Sequence, residues 1–292
     1  MNNENPLMER VLTAVNNYLE STKAYGDSDY HETGIHASVA GLCRRALLYQ
    51  FYNFNKKDLI FQKRLMFWRG HQYHGLILNS LQNDNSMEVL MHDFDLSDYL
   101  PENFKGSCDI VYRDKELSKT VLLEVKTAMP NLFNLYSDFL PLEHHVIQAQ
   151  IYEYALSKLA KETGEYVDEC WIQYYDSAGT NRPLYFQVQP DHSKVLSVIK
   201  DIQSLIDIYN TNKELPEILD LDFKSDKYNN LQAKVNWNCS YCDFRDITCK
   251  SYTHELDKYK TVGKLEEDKI IISKNWFSMS ETLLTQLERK TK

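Results

Sequence analysis

The chain has 292 residues, of which 43% are hydrophobic and 26% are charged, and its formal net charge is -9. This composition is ordinary for a folded protein with a substantial core and argues against disorder. The negative charge argues against a protein that coats nucleic acid with its whole surface, but it permits a local basic groove. We find no secretory pattern and no run of about eighteen apolar residues, so we expect a cytoplasmic protein without a membrane partner.

Three helical patterns come first along the chain. Apolar residues recur at helical spacing over residues 6–23, 38–53 and 63–82. The second pattern begins at Ser38, a residue type suited to capping a helix N-terminus. We therefore predict a helical N-terminal portion over residues 1–85.

Segments typical of β-strands alternate with longer helical patterns in the middle of the chain. The strand segments, rich in β-branched and aromatic residues, cover 87–94, 104–112, 120–127, 169–175 and 184–188. The helical patterns cover 142–162 and 190–212. Their order predicts an α/β fold over residues 86–212, with a mixed central sheet flanked by helices.

Four of the six cysteines are spaced as metal ligands. Cys239, Cys242 and Cys249 follow one another in NCSYCDFRDITC, and Cys43 lies far upstream in SVAGLCRRALLY. Four thiolates bind either a zinc ion or an iron-sulfur cluster, and both require the ligands to converge. Distant segments of the chain would then be joined through the metal.

Residues 213–292 contain an acidic linker, the cysteine trio and one amphipathic pattern over 276–289. Because the metal would tie this portion to the N-terminal one, we predict a single domain over residues 1–292. Cys108 and Cys170 lie in strand segments, where a thiol is more often a small buried apolar group than a ligand.

The central strand segments carry an acid, an acid and a lysine. Asp109 lies in GSCDIV, and Glu124 and Lys126 lie in LLEVKT. Strand alternation places Glu124 and Lys126 on one face. If Asp109 pairs onto that face, the two carboxylates can bind a divalent cation, with the Val125 carbonyl as a further ligand. Lys126 can then orient water or stabilise phosphate charge, although an E-x-K triplet alone is more typical of a surface ion pair.

Other polar residues are placed to complete such a site. His74 lies on a predicted helix and can offer a nitrogen to a metal, although a single helical histidine is more often structural. Gln148 and Tyr152, four residues apart in HHVIQAQIYEYAL, share a helix face beside an apolar stripe. The overlapping pair Gln150 and Tyr154 has the same spacing, so the sequence leaves this choice open.

The order of these motifs resembles the RecB-like branch of the PD-(D/E)XK nucleases. The family motifs correspond, in chain order, to His74, Asp109, Glu124, Lys126, Gln148 and Tyr152. One cysteine before them and a C-x2-C-x6-C segment after them resemble the iron-sulfur nucleases, such as the CRISPR-associated exonuclease called Cas four and the nuclease domain of AddB. The matched motifs span residues 43–249, most of the chain.

The resemblance implies a restriction-endonuclease-like fold, a DNA substrate, Mg²⁺ or Mn²⁺ as the catalytic metal and a structural [4Fe-4S] cluster. Lys126 would activate or position water, and Gln148 with Tyr152 would orient the DNA strand or brace the lysine. The implied ligands of the divalent metal are His74, Asp109, Glu124 and Val125. The implied ligands of the cluster are Cys43, Cys239, Cys242 and Cys249.

Several readings stay open at the level of sequence. Arg44, Arg45 and Arg69 belong to a basic first quarter that we expect to bind DNA, although solvated helix faces explain these charges as well. A catalytically idle module that holds DNA ends or a partner protein, and a zinc-stapled adaptor, are the alternative functions. Exonuclease polarity, strand preference and any protein partner in a recombination or CRISPR adaptation complex are not specified by these motifs, nor is a bacterial, archaeal or viral setting.

Overall fold

The structure, a computed structural model, describes most of the chain. The described residues are 6–21, 34–58, 61–128, 130, 140–217, 222–225, 230–234, 237–240, 242–245, 247–249, 261–266 and 269–272. The amphipathic pattern over 276–289 lies outside them.

The described helices and strands follow one another as α1 Pro6–Ser21, β1 Ile35–His36, α2 Arg44–Phe51, α3 Phe61–Gln82, β2 Met87–Asp95, β3 Phe104–Lys105, β4 Ser107–Asp114, β5 Lys119–Ala128, α4 Glu143–Thr163, β6 Glu169–Asp176, β7 Leu184–Val188, α5 His192–Asn212, β8 Asp222–Ser225, β9 Asn230–Lys234, α6 Trp237–Ser240, β10 Thr261–Glu266 and β11 Lys269–Ile272. Within the described part of the chain, no helix is both long enough and apolar enough to cross a membrane.

The chain forms two compact units. The first comprises residues 1–42 and 59–211, and the second comprises residues 43–58 and 212–292. The first unit contains the acidic and lysine motifs, and the second contains all four candidate cluster cysteines. The boundaries proposed from sequence, including a single domain over the whole chain, stay predictions.

The first unit is built on a five-stranded mixed sheet with the strand order β2-β4-β5-β6-β7. Only β5 and β6 are parallel, and the long helix α4 connects them, as a parallel pair requires. The hairpin predicted around residues 113–119 is present as β4 and β5. The predicted α/β fold with a mixed central sheet flanked by helices is confirmed, and this arrangement is consistent with a restriction-endonuclease-like fold.

Successive strand residues point to opposite faces of this sheet. Helices pack against both faces. On one face, Ile77 of α3 packs against Ile110, Leu123 and Val125. On the other face, the thiol of Cys170 lies 3.9 Å from the Ala149 carbonyl of α4. The apolar stripe predicted for α4 is buried as Ile147, Ile151, Ala155 and Leu159. The side chain of Glu124 therefore lies inside the core and not on a solvent-exposed hairpin.

Two close approaches to α4 interrupt elements that the sequence pattern had predicted to be continuous. The helix predicted from Ser38 begins instead at Arg44, after a 3-10 turn at Ala37–Val39. A Cβ atom at Gly41 would lie 2.7 Å from the Cα of His144, so the chain passes α4 closely where the helix was expected.

The strand predicted over 104–112 is also broken. It consists of β3 and β4, separated at Gly106. A Cβ atom at Gly106 would lie 2.6 Å from the Tyr152 ring, which occupies the space that a side chain would need. Cys108 and Cys170 are buried, as predicted, with 0% and 2% of their surfaces exposed.

The second unit contains a sheet that the sequence pattern did not predict. Strands β8 to β11 pair antiparallel in the order β11-β10-β9-β8. These strands are short, and they lie in the segment where the acidic and charged residues weaken the apolar alternation that normally reveals a strand.

We expect Gly41→Ala to destabilise the protein by about 1–3 kcal/mol, because the added methyl group would overlap the backbone of α4. Gly75→Ala is the matched control, since Gly75 lies inside α3 with no atom within 4 Å of a Cβ position. That change should stabilise the protein by about 0.5–1 kcal/mol. Denaturant unfolding gives the free energy of unfolding of both variants. Equal values for the two variants would show that the close contact between Gly41 and α4 is wrong.

Candidate metal and active site

The first carboxylate lies where two strands separate. The antiparallel ladder between β4 and β5 ends at the pair Ile110 and Leu123. Just beyond it, the backbone N–H of Val125 donates to Asp109 Oδ2 at 2.7 Å. This hydrogen bond holds the Asp109 carboxylate in the opening between the strands. The other carboxylate oxygen, Oδ1, takes no part in it.

The second carboxylate, Glu124, is completely buried, with 0% of its side chain exposed. Its Oε1 accepts a hydrogen bond from Lys126 Nζ at 2.6 Å, whereas its Oε2 has no hydrogen-bond partner. Burial raises the pKa of Glu124, the charge of Asp109 raises it further, and Lys126 only partly opposes both. Burial likewise raises the pKa of Asp109. Without another positive charge, this pair resists ionisation.

Helix α3 contributes a nitrogen ligand to the same place. His74 Nδ1 lies 3.7 Å from Asp109 Oδ1, and the ring also hydrogen-bonds the backbone of Val125. Burial is the main cause that lowers the pKa of His74. The imidazole is therefore held neutral, which is the form that binds metals.

The structure distinguishes the two overlapping Gln–Tyr pairs on α4. Gln148 Nε2 donates to Tyr152 Oη at 3.1 Å, and both side chains are buried. Burial, followed by the charge of Glu124, raises the pKa of Tyr152, so the phenol lies near the carboxylates as a neutral group. Gln150 instead donates to the Gln189 carbonyl at 2.9 Å.

Tyr154 also faces away from the carboxylates, because its ring packs edge-on against His192 with centroids 5.2 Å apart. Gln148 and Tyr152 are thus the pair that α4 brings to the candidate site. Gln148 Oε1 is buried and has no hydrogen-bond partner.

A further acidic residue, Asp93, belongs to the candidate site although it was not predicted from the sequence. In the β2–β4 ladder, His92 lies opposite Ile110 and Phe94 opposite Cys108, which places Asp93 opposite Asp109. One ligand atom each of His74, Asp93 and Asp109 lies within 4.8 Å of the other two. In the sequence, Asp93 has only the appearance of a solvent-facing strand acid, so no local pattern marks it.

Two histidines at the start of α4 were also missed. His145 Nδ1 lies 2.6 Å from Tyr174 Oη, which also accepts a hydrogen bond from the Leu142 N–H at 3.1 Å. Burial and then the charge of Lys126 lower the pKa of His144 to about 4 and that of His145 to about 2. Both rings are neutral neighbours of Lys126.

The first unit fits a divalent cation. Its candidate ligands are carboxylate oxygens, a backbone carbonyl and a neutral imidazole, and Mg²⁺ and Mn²⁺ accept such ligands. The buried Oε2 of Glu124 is an acceptor without a donor, which a cation would satisfy. The cation would also supply the positive charge that the two carboxylates need.

The four candidate cluster cysteines converge within the second unit. Cys43 is the N-cap residue of α2, and Cys239 lies in the short helix α6. Burial is the first cause that raises the pKa of Cys239, to about 12, and the thiols of Cys43, Cys242 and Cys249 are near enough to raise it further. Metal binding at this position would have to displace the thiol protons.

Contacts between residues 43–58 and 242–249 hold these thiols together. Lys57 N–H donates to the Asp243 carbonyl at 2.8 Å, and Thr248 Oγ1 donates to the Asn55 carbonyl at 2.7 Å. The Tyr49 and Phe244 rings pack with centroids 5.4 Å apart. These contacts hold the segment of Cys43 next to the segment that carries Cys242 and Cys249.

The predicted DNA-binding arginines are placed differently from one another. Arg45 Nε donates to the Pro216 carbonyl at 2.7 Å, and its side chain also hydrogen-bonds Cys249. Arg44 is exposed on α2, and Arg69 is exposed on α3. Contact of these three residues with DNA stays a prediction.

No protein-family model and no curated protein matches the chain. Among solved structures, the fold is similar to that of SSO0001, with a TM-score of 0.45 and 17% identity over 85% of this chain and 97% of that one. It is also similar to the alkaline exonuclease LHK-Exo from Laribacter hongkongensis, with a TM-score of 0.44 and 11% identity over 65% of this chain and 93% of that one.

We expect Glu124→Gln to stabilise the metal-free protein at pH 8 by about 1–3 kcal/mol, because a neutral amide does not have to ionise inside the core. Burial raises the pKa of Glu124 in the folded state above the ordinary glutamate pKa of the unfolded chain. The wild-type protein therefore loses stability as the pH rises from the ordinary pKa to the raised one. The variant should therefore gain more at pH 8 than at pH 5. Thermal unfolding in EDTA measures both values.

Asp176→Asn is a control that should lower the stability of the protein. Although Asp176 is buried, hydrogen bonds led by that of Thr180 lower its pKa to about 2. Its carboxylate therefore stabilises the fold at neutral pH, and that stability is lost only as the pH falls toward 2. A lower unfolding temperature of Glu124→Gln at pH 8 would contradict the account of the buried pair.

Proposed function

We propose that this protein is a metal-dependent DNA nuclease that hydrolyses phosphodiester bonds, and that it acts as an exonuclease. The observation that carries the proposal is the buried Glu124 carboxylate, which binds Lys126 through one oxygen and leaves the other without a partner next to Asp109. A surface ion pair would not need to be buried. The motif order that resembles RecB-like nucleases supports DNA as the substrate.

The divalent metal would be held by Asp109, Glu124, the Val125 carbonyl and His74. When bound there, Mg²⁺ or Mn²⁺ supplies Lewis-acid stabilisation of the phosphoryl oxygens and lowers the pKa of a coordinated water. The Val125 N–H keeps Asp109 oriented, so the carboxylate does not reorganise when substrate arrives.

We assign Lys126 the role of orienting the attacking water. Its side chain is 19% exposed, and its ammonium is fixed by Glu124 at the margin of the buried region. A three-donor ammonium can hold an attacking water on one side and a phosphate oxygen on the other. The neutral rings of His144 and His145 leave Lys126 as the cation of this part of the site.

Gln148 and Tyr152 support the same geometry from α4. The hydrogen bond from Gln148 holds Tyr152 in place beside the carboxylates, and burial keeps its phenol neutral. The unpartnered Gln148 Oε1 can accept a hydrogen bond from a water or from a sugar hydroxyl of the strand end. We assign the pair to orienting the nucleic acid strand.

We further propose that Cys43, Cys239, Cys242 and Cys249 bind a structural [4Fe-4S] cluster. The convergence of the four thiols supports it, as does the resemblance to iron-sulfur nucleases. Arg45 and Tyr49 hydrogen-bond Cys249, and such donors offset negative charge on a thiolate ligand. Arg45 therefore has a supporting role at the cluster.

Lys126→Ala should lower the rate of Mn²⁺-dependent degradation of end-labelled DNA by about 10²–10⁴-fold, because the water loses its orienting cation. Lys115→Ala removes the same charge at the far turn of the hairpin, where Lys115 Nζ lies 3.3 Å from the Asn85 carbonyl, and should leave the rate unchanged. Wild-type protein that binds DNA but releases no nucleotides would favour the idle binding module. Cleavage by Lys126→Ala at the wild-type rate would contradict the assigned role.

Arg45→Ala should lower the amount of cluster retained after anaerobic purification, measured by iron content and visible absorbance, because Cys249 loses a charged donor. A loss of about tenfold in cluster affinity is expected. Arg44→Ala is the matched control, since it removes the neighbouring exposed charge. Colourless protein with stoichiometric zinc in the wild type would instead support the zinc-stapled adaptor.

A further inference from the structure

The last two strands of the central sheet carry aromatic rings and amides on one partly exposed face. Trp171, Gln173 and Tyr175 of β6 lie on the side that packs against α3, and Tyr185 and Gln187 of β7 lie beside them on that side. We call these residues the β6–β7 face. None of them is charged, and 68% of the Tyr185 surface is exposed.

This composition is unusual for an outer strand. Strand β7 ends the five-stranded sheet among the residues that the structure describes. Natural edge strands are normally protected by charged side chains or by proline, because an exposed apolar edge promotes aggregation. Strand β7, with the sequence LYFQV, contains neither. An exposed aromatic surface kept at such a position is typical of a binding surface.

The rings of this face are held in fixed orientations. Trp171 Nε1 donates to Glu169 Oε2 at 2.8 Å, so the indole plane cannot turn freely. The Trp171 ring also packs edge-on against Tyr185, with centroids 6.2 Å apart. A ligand that binds rings ordered in advance loses less conformational entropy than one that has to order them.

A second pair of rings connects the β6–β7 face with the candidate metal site. Tyr73 of α3 packs against Tyr175 with centroids 5.0 Å apart and ring planes inclined by 31°. Tyr73 directly precedes His74, and Tyr175 lies opposite Thr127 in the parallel β5–β6 pair. Thr127 is two residues beyond Val125, so strand geometry places Tyr175 about 8 Å from the Val125 backbone. The face therefore begins beside the metal site and extends outward to β7.

The charges around the face are compatible with a phosphate backbone. Glu169 is paired with Lys119. The Asp176 carboxylate accepts hydrogen bonds from the Thr180 hydroxyl at 2.6 Å and from backbone and side-chain groups of the same loop. That loop also carries Arg182, which is exposed and can bind a phosphate oxygen. Neither acid is therefore left to repel an anionic strand.

We infer that the β6–β7 face binds the bases of a single DNA strand that passes through the metal site. The inference rests on the proposed nuclease function. Bases would stack on Tyr175 and then on Trp171 and Tyr185, while the amides of Gln173 and Gln187 hydrogen-bond base edges. Every base has a π face, so this binding tolerates any sequence. A duplex hides its base faces, so the surface selects an unpaired strand.

The test is binding of single-stranded DNA to the full-length protein in EDTA, where the proposed hydrolysis cannot occur. Fluorescence anisotropy gives the affinity, and quenching of a 2-aminopurine base in the strand reports stacking. Tyr185→Ala should weaken binding at least about fivefold and reduce the quenching, because one stacking ring is lost. Tyr185→Trp should bind like the wild type, since it keeps an aromatic face. Tyr185 is exposed, so neither change should disturb the core.

Tyr166→Ala is the matched control, because Tyr166 is also exposed, at 59%, and precedes the opposite end of β6. It should bind DNA like the wild type. Unchanged affinity and quenching in Tyr185→Ala, or no binding of single-stranded DNA by the wild type, would overturn the proposal. Self-association that Tyr185→Ala abolishes without changing DNA binding would assign the face to a second copy of the chain.

The proposed function fails separately from this inference. A wild-type protein that binds the strand through Tyr185 but does not hydrolyse it with Mn²⁺ would contradict the nuclease function and leave the β6–β7 face as a DNA-binding surface. A wild-type protein that hydrolyses DNA, with Tyr185→Ala binding the strand equally well, would leave the nuclease function and remove the face.

Discussion

The burial of Glu124, next to the largely buried Asp109 and to Lys126, is the constraint on which the first unit depends. Glu124 is inaccessible to water, Asp109 is fixed at the strand end by the Val125 N–H, and Lys126 neutralises only part of their charge. A protein core does not keep such a combination for stability, because a hydrophobic replacement is usually at least as favourable. The arrangement is consistent with a site whose stability is completed by a bound cation.

Helix α4 organises the surroundings of that site. Its apolar side packs on the sheet, and its polar side carries Gln148 and Tyr152 to the carboxylates. The chain passes α4 so closely at Gly41 and Gly106 that neither position has room for a side chain. Core packing and site geometry therefore depend on the same helix.

The sequence predicted the parts of this structure that depend on local periodicity. Alternation around Glu124 and the stripe through Ile151 indicated the hairpin and α4 correctly. It could not predict the break at Gly106 or the late start of α2, because both result from contacts with residues distant in sequence. Asp93 was missed for the same reason, since only strand pairing brings it opposite Asp109.

The central claim, that Asp109 and Glu124 form a metal site, is tested most directly by crystals of the protein soaked in Mn²⁺ and measured for anomalous scattering. The account predicts a strong anomalous peak within bonding distance of Asp109, Glu124 Oε2 and the Val125 carbonyl. Anomalous peaks confined to exposed surface carboxylates, with Glu124 still bound only to Lys126, would contradict it.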